Sequence, residues 1–103
     1  MTQVLASLRV NPDHPEALQM YLASAMPLIE AAGGRVAKQI ELGEQIIGEE
    51  GNTMALLVDY PSRDAVDAVF SSPEYQKLIP VRELAFLSYN VAIVENEELP
   101  EFA

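Results

Sequence analysis

Residues 3–10, QVLASLRV, alternate in polarity, with Val4, Ala6, Leu8 and Val10 on one side and Leu5, Ser7 and Arg9 on the other. That is the period of a strand. NPDHPE follows and opens a helix: Asn11 or Asp13 suits its cap, and Pro12 or Pro15 its first turn. Leu18, Leu22, Ala25, Ile29 and Ala32 then recur at helical spacing, with Tyr21 and Leu28 beside them. Pro27 falls inside this stripe and predicts a kink. Gly33-Gly34 ends the helix by allowing a left-handed residue.

RVAKQIELGEQII reads as a long second strand bent at Gly43. The acidic turn GEEGN leads to a third strand, TMALLVDY, in which Met54, Leu56, Val58 and Tyr60 alternate with Ala55, Leu57 and Asp59. Pro61-Ser62 starts a short helix with Ala65, Val66, Val69 and Phe70 inward. Ser72-Pro73 starts another turn, which Pro80 is expected to end. AFLSYNVAIV is the last strand, with Ser88 and Asn90 on one face and Leu87, Tyr89, Val91 and Ile93 on the other.

The order β-α-β-β-α-β predicts an α+β domain of the ferredoxin-like kind, one antiparallel sheet with both helices on one face. Its first and third strands are expected to be central, adjacent and parallel, so that Arg9 and Asp59 meet near one end of the sheet. Residues 1–95 form the domain, and 96–103 an acidic tail in which Leu99 and Phe102 can dock on a partner.

Two helices leave one face of the sheet bare. Four strands at about 4.8 Å spacing and about 20 Å length amount to roughly 400 Å², near the largest apolar patch that monomers expose. That face is predicted to carry Leu5, Ala55, Leu57, Phe86, Ala92 and Val94 mixed with Ser7, Arg9, Asp59, Ser88 and Asn90. The mixture suits a pocket wall or a face closed by a second copy, for which a twofold homodimer is the favoured closure.

Composition narrows the chemistry. Sixteen acidic residues face six basic ones in 103, a net charge of −10. That field repels phosphate backbones and anionic bilayers, so neither nucleic acid nor membrane is an expected partner. No apolar run approaches the ~20 residues of a bilayer span, and MTQVLASLRV lacks a basic signal-peptide start, so the expected location is cytoplasmic. There is no cysteine, and His14 is the sole histidine. Thiolate ligands and a cysteine nucleophile are excluded, and no metal or cofactor is expected. Ser71 and Ser72 have no nucleophile elbow around them, which argues against serine hydrolysis.

VDYPSRDAVDAVFSSPEYQKLIPVR, with HPEALQMY and AAGGR upstream, resembles a bacterial domain-of-unknown-function family, the one numbered 1330, across residues 4 to 95. The turn Asp59 to Ser62, Ser72 to Tyr75 and Arg82 carry the resemblance. It implies membership of the dimeric α/β-barrel superfamily and a homodimer. That superfamily is similar in architecture to cofactor-free monooxygenases of small aromatics and to lactone isomerases. Relatives often have histidine where this chain has Ala32, so any role of that histidine is absent here.

The candidate residues each admit two readings. Arg9 and Asp59 are a substrate clamp and base, or a partly buried ion pair at the barrel mouth. Arg82 binds a carboxylate or enolate with the Tyr75 hydroxyl assisting, or it fixes a helix end while Tyr75 packs. Tyr21 is a core residue whose hydroxyl reaches a polar partner or a pocket. Ser88 and Asn90 orient a ligand or join dimer contacts. His14 caps a helix or is exposed. The catalytic candidates are thus Arg9, Asp59 and Arg82, and the ligand-binding candidates Tyr21, Tyr75, Ser88 and Asn90. The function expected is binding of a small organic acid or carbonyl compound, with cofactor-free isomerase or monooxygenase-like chemistry. The alternative is a non-catalytic dimeric binding or regulatory module.

Overall fold

The structure is a computed structural model, and it describes residues 1–49 and 51–95. Glu50 of the acidic turn and the tail 96–103, with Leu99 and Phe102, lie outside the described residues.

The alternating segments become β1 (Thr2–Val10), β3 (Met54–Tyr60) and β4 (Phe86–Ile93), and Arg35–Glu41 becomes β2. They form one sheet in the order β2-β3-β1-β4, in which every neighbouring pair is antiparallel. The expected parallel pairing of β1 with β3 is therefore corrected. β2 returns parallel to β1 after the long helix, and the connection 42–53 then reverses the chain, so β3 runs against both.

Helix α1 (Pro15–Ala31) continues through Pro27. Gly33 follows at φ 86, and a Cβ there would meet Pro61 Cγ at 2.7 Å, so both the turn and the close approach need glycine. His14 holds the cap position without a side-chain cap bond, and its Nδ1 meets Glu16 Oε1 at 3.0 Å. Asn11 has a different task from capping α1. Its Nδ2 donates to Leu84 O and its backbone N–H to Ala85 O, pinning the chain before α1 to the end of a later helix.

The second helical region is three short helices, α2 (Arg63–Phe70), α3 (Pro73–Gln76) and α4 (Ile79–Ala85). Ser62 Oγ accepts from Ala65 N and Ser72 Oγ from Tyr75 N, as the serine positions predict. Pro80 lies in the first turn of α4, so it opens a helix rather than ending one. A first-turn proline surrenders no helical hydrogen bond.

Two details of the strands also differ from the simple pattern. β2 stops at Glu41, before Gly43. In β4 the register shifts where Arg9 faces Ser88 and Val10 faces Phe86. Leu87 is the extra residue, a bulge that leaves it exposed and turns Phe86 into the core, 58% against 6% accessible.

The core lies between the sheet and the helices. Val4, Leu8, Val58 and Tyr60 from the strands meet Ala17, Tyr21 and Ala25 of α1 and Val66, Val69 and Tyr75 of the shorter helices. No helix among the described residues is long and apolar enough to cross a membrane.

Candidate functional site

Three tyrosines and one arginine from four elements converge on the covered side of the sheet. Tyr21 sits on the inward stripe of α1 with Ala17 and Ala25. Tyr75 lies in the first turn of α3, where the Ser72 cap fixes it. Arg82 projects from α4 and Tyr89 from β4. Tyr21 and Tyr75 are buried, and Tyr89 and Arg82 half-buried.

Their hydroxyls form one chain. Arg82 donates through an η nitrogen to the Tyr75 hydroxyl at 3.1 Å. The Tyr75 and Tyr21 hydroxyls are 2.8 Å apart, and Tyr21 donates to Tyr89 at 3.0 Å. The direction follows from proton counting. A guanidinium only donates, and a phenol has one proton. Because Tyr21 spends its proton on Tyr89, Tyr75 must donate to Tyr21. The chain thus runs Arg82 to Tyr75 to Tyr21 to Tyr89, and the Tyr89 hydroxyl keeps a proton of its own.

Ring packing holds this geometry. Tyr21 meets Phe86, Tyr89 and Tyr75 edge-on at centroid distances of 5.4, 5.8 and 6.2 Å. The Arg82 guanidinium lies 5.8 Å from the Tyr75 ring centre and 5.6 Å from that of Tyr89. Burial pushes the Tyr89 phenol up to about 12 and the Tyr21 phenol far above its ordinary range, with Tyr89 and Tyr75 adding to the rise. Both stay protonated at neutral pH. They are donors, not bases.

Tyr89 and Arg82 open onto a cleft of about 290 Å³, at the lower end of small-ligand pockets. One wall is the α2 stripe Arg63, Val66, Asp67 and Phe70, and the other is Tyr89, Val91 and Ile93 of β4. Arg63 Nε donates to Asp67 Oδ1 at 3.3 Å across one turn. Behind Phe70, Tyr89 and Val91 lies a second, apolar space of about 60 Å³ between α1 and the sheet.

The candidate residues divide between two faces. Arg82 and Tyr75 meet, Tyr21 joins them, and of these Arg82 lines the cleft. Arg9 and Asp59 do not meet. Asp59 is paired with Gln3, whose Nε2 donates to its Oδ1 at 3.0 Å, whereas Arg9 faces Ser88. Six residues along β1 separate the two levels, about 20 Å. The clamp of Arg9 with Asp59 is therefore overturned by the antiparallel pairing. Ser88 and Asn90 lie on the uncovered face, where Asn90 Nδ2 donates to Ser88 Oγ at 3.1 Å.

Tyr89, Arg63 and Asp67 are the site residues that residue-by-residue reading missed. The alternation of β4 places Tyr89 inward, and that was the available signal for a partner to Tyr21. Arg63 and Asp67 join Val66 and Phe70 at i, i+3, i+4 and i+7, one helix face of mixed chemistry.

The chain matches the family described as Domain of unknown function (DUF1330) over residues 4–96. No curated protein matches it. Among solved structures it is similar to the RPA0582 protein of unknown function from Rhodopseudomonas palustris, at 22% identity and a TM-score of 0.78, covering 95% of this chain and 83% of that one. It is similar to a Nitrosomonas europaea protein named provisionally as an antibiotic biosynthesis monooxygenase, at 13% identity and 0.63, covering 95% and 100%. A dimeric ferredoxin-like protein of unknown function from Thermobifida fusca matches at 12% and 0.54, over 90% and 88%.

Proposed function

The chain belongs to the DUF1330 family, and we propose that it binds a small organic acid or carbonyl compound in the cleft beside Arg82 and Tyr89. The observation that carries this reading is the one-way hydrogen-bond chain. It begins on a cation, is held by buried rings, and ends at Tyr89 on the wall that Arg82 also lines. A carboxylate or enolate oxygen there meets a guanidinium and a phenol side by side on one wall. Val66, Phe70, Val91 and Ile93 receive the apolar part of the ligand.

The chemistry this supports is cofactor-free isomerisation, or oxygenation of an activated substrate. The Asp67 carboxylate removes a proton beside the carbonyl, and Arg82 with Tyr89 holds the resulting enolate oxygen. In isomerisation the protonated Asp67 returns that proton to another carbon, and in oxygenation dioxygen is the co-substrate that takes the enolate's electrons. The name given to the Nitrosomonas europaea neighbour agrees with the oxygenation arm, through likeness of fold alone. The uncovered sheet face, with Leu5 39% exposed among half-buried Ser7, Ala55 and Leu57, receives a second copy in this reading. The Thermobifida fusca neighbour, described as dimeric, supports that assembly.

A second reading rests on Asp67 itself. Its hydrogen bond with Arg63 engages the carboxylate, and a base held that way favours binding without turnover, as in a non-catalytic dimeric module.

Thermal-shift titration with small carboxylic acids and carbonyl compounds tests the site. A ligand that binds only the folded state raises the melting temperature. The parent and Arg9→Ala should shift alike, and Arg82→Gln and Tyr89→Phe should lose the shift. A shift that survives both cleft variants refutes the site. Turnover lost in Asp67→Asn with binding retained separates the enzyme from the binding module.

A further inference from the structure

We propose that the cleft selects a linear dianion, a dicarboxylate with an apolar spacer, with Arg82 and Tyr89 holding one carboxylate and Arg63 the other. This rests on the binding site argued above and names its ligand class.

The first ground is charge. The chain has only six basic residues against sixteen acidic ones, yet two of the six, Arg63 and Arg82, line this one cleft against a single carboxylate, Asp67. In so negative a protein that is a local reversal of sign, and an anion entering here leaves a repulsive surface for an attractive one.

The second ground is placement. Phe70 closes the α2 wall at the Arg82 end, because its ring meets that of Tyr75 at 5.0 Å and the Tyr75 hydroxyl accepts from Arg82. Arg63 is seven residues back along the same helix, about 10 Å away. The β4 wall runs in the same sense. Tyr89 stands at the Arg82 end, and Ile93 lies four residues on, about 13 Å, paired with Val4 near the sheet end where Tyr60 faces Thr2. The chain leaves Tyr60 through Pro61 and Ser62 to reach Arg63. The cleft is thus a trough with Arg82 at one end, the Arg63 guanidinium drawn one turn in from the other by Asp67, and Val66, Val91 and Ile93 along its walls.

The third ground is the Arg63 side chain. Its Nε–H goes to Asp67, one turn on, which uses one of five donors. That contact holds the stem along the cleft wall. The two terminal nitrogens present the edge that suits a carboxylate in bidentate fashion. A monoacid fills the Arg82 end and leaves this edge unmatched. A diacid of the right span uses both.

Calorimetric titration of the full chain with hexanoate, octanoate, adipate and suberate tests this on the parent, Arg63→Gln and Arg82→Gln. On the parent at low salt, a diacid should bind roughly two- to fivefold tighter than the monoacid of equal length, beyond the statistical gain of two identical ends. Because the Arg63 side chain is 64% exposed, that preference should shrink as salt rises. Arg63→Gln should bring the diacid to the monoacid level and weaken the monoacid less than the diacid, since the cleft loses one positive charge but the monoacid loses no direct partner. Arg82→Gln should weaken both. Equal binding of the two classes to the parent, with Arg82 still required, overturns the dianion and leaves the acid site standing. A preference that persists in Arg63→Gln overturns the role of Arg63. No binding of any of the four acids to the parent overturns this inference and the acid site together.

Discussion

The two faces of the sheet carry polar groups of similar kind and use them differently. On the covered face, three phenols and a guanidinium from α1, α3, α4 and β4 form one chain across sequence separations of 54, 68 and 7 residues. On the open face, Asn90 reaches Ser88 two residues away, and Gln3 reaches the Asp59 beside it on the neighbouring strand. The first arrangement ties packing to a directed hydrogen-bond donor. The second dresses a strand surface that alternates with Leu5, Leu57 and Ala92. A polar group buried among rings must find its partner or cost stability, so the covered face is where order and chemistry coincide.

The contrast breaks most visibly at Tyr75. Replacement with alanine removes a ring that packs on Phe70 and Tyr21 and the acceptor of Arg82, and should destabilise the chain by about 3–5 kcal/mol in urea titration. Tyr21→Phe keeps the ring and deletes the middle of the chain, leaving Tyr75 without its acceptor and Tyr89 without its donor. About 1–3 kcal/mol is expected, and acid binding should fall as well, because the Tyr89 hydroxyl loses its orientation.

Alkaline pH tests the same groups without mutation. A tyrosine ionises near pH 10 in the unfolded chain, whereas burial holds Tyr89 protonated to about 12 and Tyr21 still higher. Above about pH 10 the unfolded state binds fewer protons than the folded one, so stability falls as pH rises. The contribution is complete below that pH and is lost progressively through the Tyr89 window. Urea midpoints taken upward from about pH 8 should stay level and then drop, and Tyr21→Phe should flatten the drop.

The open face should respond least. Asp59→Asn and Ser88→Ala each touch one local hydrogen bond, and stability should move by no more than about 0.5 kcal/mol, with acid affinity unchanged. A loss of acid binding in Asp59→Asn would return that residue to the site and erase the contrast between faces.

Much of this architecture is legible from residue order. The alternation of β1 and β3, the serine caps of α2 and α3, and the glycine turn after α1 each follow from local physics. The errors arose where local pattern meets topology. Arg9 and Asp59 both sit late in their strands, and only the antiparallel pairing of β1 with β3 shows that late in one is early in the other. Leu87 fits an inward position by strict alternation, and a bulge set by its pairing with β1 moves it outward. Pro80 reads as a stop because a proline ends or begins a helix by the same chemistry, and the choice depends on α4 packing beside α1. Arg82 and Tyr21 were visible as candidates. Tyr89, the end of the chain that joins them, was visible only as an inward strand residue, because its role is a contact spanning four elements.

The most direct measurement is an amide NMR titration of the full chain with hexanoate, which reads both faces at once. Binding in the cleft should give shifts that saturate at Phe70, Arg82, Tyr89 and Val91, with Arg9, Asp59, Ser88 and Asn90 unmoved. Shifts that gather on the open-face strands, or no response along the cleft, would contradict it.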